Sequence, residues 1–120
     1  MMNELKTLAT KALKVYEDEQ WTMKQHLESW EDDEEITSIY NEVVDTLTPS
    51  GMERDSSKIQ IAHADNVENG EEFLNFYDEL TELEPIKEIG SNISVYDVDG
   101  TLYATEYGEG GMYSVMFYSK

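Results

Sequence analysis

Cysteine is absent from the chain, which removes both a disulfide framework and thiolate chemistry from consideration. Basic residues are scarce, with 8 Lys and Arg against 27 Asp and Glu, giving a formal net charge of −19. A surface of that sign repels phosphate, so nucleic acid and anionic membrane are excluded as direct ligands and basic partners are favoured. No apolar run approaches the ~20 residues of a membrane-spanning helix. The N-terminal stretch reads as an amphipathic, lysine-bearing helix without the continuous apolar core of a secretory signal, so a cytoplasmic location is expected. Proline occurs only twice, and both prolines follow helical patterns as stops. No internal repeat or linker divides the chain.

What is present is enough for one folded domain: 120 residues, 39% hydrophobic and 11% aromatic. Such acidity in a chain poor in aromatics would indicate disorder, but eight Tyr, three Phe and two Trp lie in clearly periodic segments. The chain is organised around residues 28–47. Five consecutive acids, Glu31, Asp32, Asp33, Glu34 and Glu35, run into a helix whose apolar stripe is Ile36, Ile39, Tyr40, Val43, Val44 and Leu47. Asp33 is the expected N-cap, and the acids about it lie where the helix dipole favours anions.

Earlier in the chain, Leu5, Leu8, Ala9, Ala12, Leu13 and Tyr16 predict a helix over 3–17, and a second helical piece over about 20–30 either continues it or stands apart. Ile59 and Ile61 alternate with polar neighbours, which suggests a strand over 58–63. Asn69 and Glu72 fit the N-cap and N3 positions of a helix carrying Phe73, Leu74, Tyr77, Leu80 and Leu83, stopped by Pro85. The period then changes from 3.6 to 2, with strands expected at 93–98, 101–107 and 113–118. Asp99-Gly100 supplies a two-residue hairpin turn and residues 108–111 a looser one. The fold class is α+β, with N-terminal amphipathic helices and one later helix covering one face of a small antiparallel sheet that ends in a three-stranded meander.

The segment Asp97-Val98-Asp99-Gly100-Thr101 resembles the DxDGT signature of haloacid-dehalogenase-like phosphatases. The resemblance implies Asp97 as nucleophile, Asp99 as general acid and base, and magnesium beside both. That family places a parallel-sheet domain with further motifs downstream, whereas the residues after Thr101 are few and strand-like. A hairpin turn accounts for the same letters and is the reading adopted. An EF-hand loop does not fit either, because the glycine follows Asp97 by three residues rather than five. His26 and His63 have no ligand-spaced partner of zinc type and are read as surface or satisfied histidines. No phosphate loop or nucleophile elbow is present, so neither catalysis nor a metal or other cofactor is expected.

The acidic helices remain as the candidate site. The candidate partner-binding residues are Glu28, Glu31, Asp32, Asp33, Glu34, Glu35, Glu42, Asp45, Glu68, Glu71, Glu72, Asp78, Glu79 and Glu82. Duplex DNA carries one negative charge per ~1.7 Å of axis. Carboxylates three and four apart on a helix are ~5–6 Å apart at Cβ, so rows of them approximate a line of phosphates. The expected function is an inhibitor of a basic nucleic-acid-binding protein (a nuclease, CRISPR effector, restriction or repair enzyme), of the kind phages and mobile elements encode against host defence. An immunity protein for a basic nuclease, or an assembly protein using the strand aromatics, are the alternatives. Tyr96, Tyr103, Tyr107, Tyr113, Phe117 and Tyr118 are too many rings for one sheet face to bury, so some are expected exposed and able to mediate a homodimer.

Overall fold

The computed structural model describes residues 2–108 and 113–119. Helix α1 spans Met2–Ala12, α2 Met23–Ser29, α3 Glu34–Leu47 and α4 Gly70–Thr81. The strands are β1 Ile59–His63, β2 Lys87–Ile89, β3 Ile93–Val98, β4 Thr101–Tyr107 and β5 Tyr113–Tyr118. One antiparallel sheet has the order β1-β5-β4-β3-β2, so the α+β class and the β3–β5 meander stand as expected. The turn expected over residues 108–111 lies, apart from Gly108, outside the described residues.

The helices do not share one face of the sheet. Side chains alternate along each strand, and both sets are buried. Ala62, Tyr96, Val98, Tyr103 and Val115 pack with Leu5, Ala9 and Ala12 of α1 and Phe73, Phe76 and Leu80 of α4. Ile59, Ile61, Ile89, Ile93, Val95, Ala104 and Met116 pack with Met23 of α2 and Tyr40, Val43, Val44 and Leu47 of α3. The sheet is therefore a middle layer, and the expectation of one covered face is corrected. The strands carry apolar residues at consecutive positions, as in Val95-Tyr96 and Tyr103-Ala104, which only a sheet covered on both sides accommodates.

Both sequence-readable caps form. The Ile36 N–H donates to Asp33 Oδ1 at 3.0 Å and the Glu72 N–H to Asn69 Oδ1 at 3.1 Å. The first helix is shorter than expected. It stops at Ala12 because Val15 bridges Val67, while the Tyr16 N–H bonds Asn66 O and the Glu68 N–H bonds Lys14 O. The chain then runs past β1, where the Ile61 N–H bonds Trp21 O and Thr22 bridges Gln60, closing that sheet edge. Thr22 and Gln25 form a reciprocal capping box that starts α2 as a separate helix. The stripe of α4 is also rotated from its expected position. Phe73, Phe76 and Leu80 are buried, whereas Leu74 is 44% exposed.

The other sheet edge, β2, was not visible as a strand in the sequence. It is three residues long and two of them are charged, a pattern that discourages pairing with other chains. Between β2 and β3, Gly90 lies at φ +65°, and a Cβ there would stand 3.4 Å from Ile39 of α3. The β3–β4 turn has positive φ at both Asp99 and Gly100, the hairpin expected from Asp-Gly.

Candidate functional site

The layered fold divides the expected carboxylates between two sides of the sheet. Glu28, Glu31, Asp32, Asp33, Glu34, Glu35, Glu42 and Asp45 belong to the α2–α3 layer, whereas Glu68, Glu71, Glu72, Asp78, Glu79 and Glu82 accompany α4 on the opposite face. All are exposed except Asp33 and Glu72, which are half-buried, Asp33 being occupied as the cap of α3. Three others are engaged by bases: Glu42 by Lys87 at 3.1 Å, Asp45 by Arg54, and Glu68 by Lys14 at 3.9 Å. Arg54 also reaches Asn41, so it lies along the outer face of α3.

Charge density then favours one region. Glu34 to Asp45 covers ~16 Å of helix at 1.5 Å per residue. Its four acids average ~5.5 Å apart along the axis, wider than the ~3.4 Å of single-strand phosphates, and half of them are partly neutralised by Lys87 and Arg54. Glu28, Glu31, Asp32, Glu34 and Glu35 make no ion pair among the described residues, and they flank Trp30, whose side chain is 43% exposed. An exposed indole inside a carboxylate cluster can act as a desolvated anchor for a partner. Sequence patterning did not single out Trp30, because a tryptophan in a helical stretch reads as core.

A second feature lies in the same layer. His63, Ser114 and Glu106 are cross-strand neighbours in one row running over β1, β5 and β4, and the row continues into apolar Ile93 and Ile89 beneath α3. Where the row is polar, a cleft of about 500 Å³ opens, lined also by Glu19, Gln20, Trp21, His26, Ile61, Asp65 and Asn66. Asn66 is buried and holds one end together: it accepts from the His63 N–H at 2.8 Å and donates to Ile61 O at 3.0 Å and Glu19 O at 3.4 Å.

At the other end the Tyr40 hydroxyl donates to Glu106 Oε2 at 2.7 Å. Burial raises the Glu106 carboxyl above its ordinary range, partly opposed by that hydrogen bond. Burial and the same contact push the Tyr40 hydroxyl up. The Trp21 indole N–H donates to His26 Nδ1 at 3.3 Å, and the His26 ring stands perpendicular to Tyr40 with centroids 4.4 Å apart. Burial holds His26 below the usual imidazole range, and its Nε2 is enclosed without a hydrogen-bond partner. His26 is therefore not the surface or satisfied residue read from the sequence, whereas half-buried His63 accepts from the Asp65 N–H at 3.3 Å as a satisfied histidine does; both line one cleft. Ser114 stands between His63 and Glu106 in the row, so the acid does not orient the imidazole as a catalytic triad requires.

Asp97 Oδ1 accepts from the Gly100 N–H at 2.8 Å, and Asp99 lies 3.7 Å from Lys6, so both aspartates of the DxDGT segment serve an antiparallel hairpin. Of the strand aromatics, Tyr96 and Tyr103 are buried, Phe117 and Tyr118 half-buried, and Tyr107 and Tyr113 exposed, with centroids 4.9 Å apart. Among the described residues there is no group of three or more potential metal ligands and no helix long and apolar enough to cross a membrane. Comparison with protein-family models, curated proteins and solved structures finds no match.

Proposed function

We propose that this chain is an inhibitor that occupies the nucleic-acid site of a basic protein, presenting carboxylates where that protein expects phosphates. The single observation that supports it most is the unpaired acidic cluster around Trp30, made by Glu28, Glu31, Asp32, Glu34 and Glu35. Glu34 and Glu35 lie in the first turn of α3 and Asp32 just before its cap, where the positive end of the helix offsets part of the repulsion, whereas Glu28 sits in the last turn of α2 without that help. A partner evolved to release counterions from DNA gains the same release from this surface. The opposite α4 face contributes charge at longer range and speeds encounter rather than making the primary contact. Targets of this chemistry are nucleases, restriction and CRISPR effectors and repair enzymes, which suits a phage or mobile-element product acting in its host's cytoplasm.

The test is affinity capture from a lysate of the native cells at ~50 mM salt, using the parent chain beside a variant with Glu31→Gln, Asp32→Asn, Glu34→Gln and Glu35→Gln. The expected result is a nucleic-acid-binding protein held by the parent, released by duplex DNA and absent from the variant. Equal capture by both chains would refute the assignment of the surface.

A further inference from the structure

We propose that the cleft between Trp21 and Glu106 receives the guanidinium of an arginine side chain presented by a protein partner. The proposal rests on the reading above that the partner is basic, and it gives that partner a specific point of attachment. Among the described residues no Lys or Arg lines the cleft, while Glu19 and Asp65 stand exposed and Glu106 half-buried among its lining residues. Glu106 is the informative member. A carboxylate has about four acceptor positions, and among the described residues the only side chain bonded to Glu106 is the Tyr40 hydroxyl. A desolvated carboxylate without a cation is costly, and an incoming cation offsets that cost.

Two features favour guanidinium over ammonium. Trp21 borders the cleft with its indole tethered to His26, and a planar cation stacks on such a ring. Glu106 and Ser114 are adjacent acceptors in the same cross-strand row, matching the forked donors of arginine rather than the point charge of lysine. Burial holds the His26 imidazole below its ordinary range, which disfavours a charged histidine beside the cleft. The cleft also opens on the layer that carries the acidic cluster around Trp30, so one partner can engage both.

The probe is the tripeptide acetyl-Gly-Arg-Gly-amide, titrated into the full chain in a Trp30→Phe background so that Trp21 is the only indole. Trp21 fluorescence and the amide shifts of His63, Ser114 and Glu106 report occupancy. Saturable binding is expected, weakened about ten-fold or more when citrulline, a neutral isostere, or lysine replaces the arginine. Glu106→Gln retains an acceptor for Tyr40 and is expected to weaken the peptide to a similar degree, whereas Glu31→Gln leaves it within about two-fold. Equal binding of the citrulline or lysine peptide, or indifference to Glu106→Gln, would overturn the proposal. Agmatine binding more tightly than the peptide would assign the cleft to a free guanidinium metabolite and overturn the protein source. Loss of the tripeptide site with capture still dependent on residues 31–35 defeats the cleft proposal alone. The reverse result defeats the inhibitor reading and leaves a guanidinium site.

Discussion

Glu106 and Tyr40 are 66 positions apart and share a 2.7 Å hydrogen bond that ties α3 to the centre of the sheet. Removing the hydroxyl with Tyr40→Phe leaves a half-buried carboxylate without its donor, so a loss of about 1–3 kcal/mol is expected in denaturant unfolding at neutral pH. The pH dependence has a definite sign. Because burial raises the Glu106 carboxyl in the folded state, the native chain holds that proton more tightly than the unfolded chain. This favours the fold at pH below the unfolded value, ~4.3, and is lost as pH rises through the raised folded value. Glu106→Gln lacks this loss, so its stability relative to the parent should climb with pH from ~4 upward; a constant difference would show that the carboxylate is not perturbed. A different backbone demand applies at Gly100, where φ is +89° and no atom lies within 4 Å of an added Cβ. Gly100→Val should therefore cost about 1–2 kcal/mol through conformation alone, while Asp99→Asn changes the melting temperature little, since Asn-Gly serves the same turn.

At the scale of elements, Asp33 separates a structural role from a binding one. Its side chain caps α3, so Asp33→Ala should destabilise by about 1 kcal/mol, whereas Glu31→Gln, an exposed neighbour without an ion pair, should leave unfolding nearly unchanged. A matched loss for the two would mean that the run acts through its charge on the dipole of α3 rather than through the Asp33 cap. The caps, the Asp-Gly hairpin and the three closing strands were legible because each is a local pattern. The end of α1 was not, because Leu13 and Tyr16 continue the helical spacing while Val15 is drawn into a bridge with Val67, far along the chain. Strand β2 escaped because Lys87 and Glu88 carry no alternating apolar signal at an exposed edge. The cleft was illegible for a related reason. Trp21 and His26 come from one segment and His63, Glu106 and Ser114 from three separate strands, and only strand register and helix docking bring them together.

For the whole molecule, the consequence of burying both sheet faces is that the acidic helices point away from each other. The sequence suggested one distributed carboxylate surface, but the fold offers two, and among the described residues only the α2–α3 side joins carboxylates without an ion pair to an exposed indole and a cleft lined by acids. A net charge of −19 makes the whole chain attractive to basic proteins, so attraction alone does not distinguish mimicry from general acidity. Competition does. The decisive measurement is the fluorescence anisotropy of a labelled DNA duplex bound to the captured partner, followed as the parent chain is added at ~50 mM and ~200 mM salt. The account predicts a fall to the anisotropy of free duplex, needing more inhibitor at the higher salt, and no fall with the four-fold variant neutralised at residues 31, 32, 34 and 35. Anisotropy that holds steady or rises as the chain binds would mean that protein and DNA occupy the partner together, and would contradict the account.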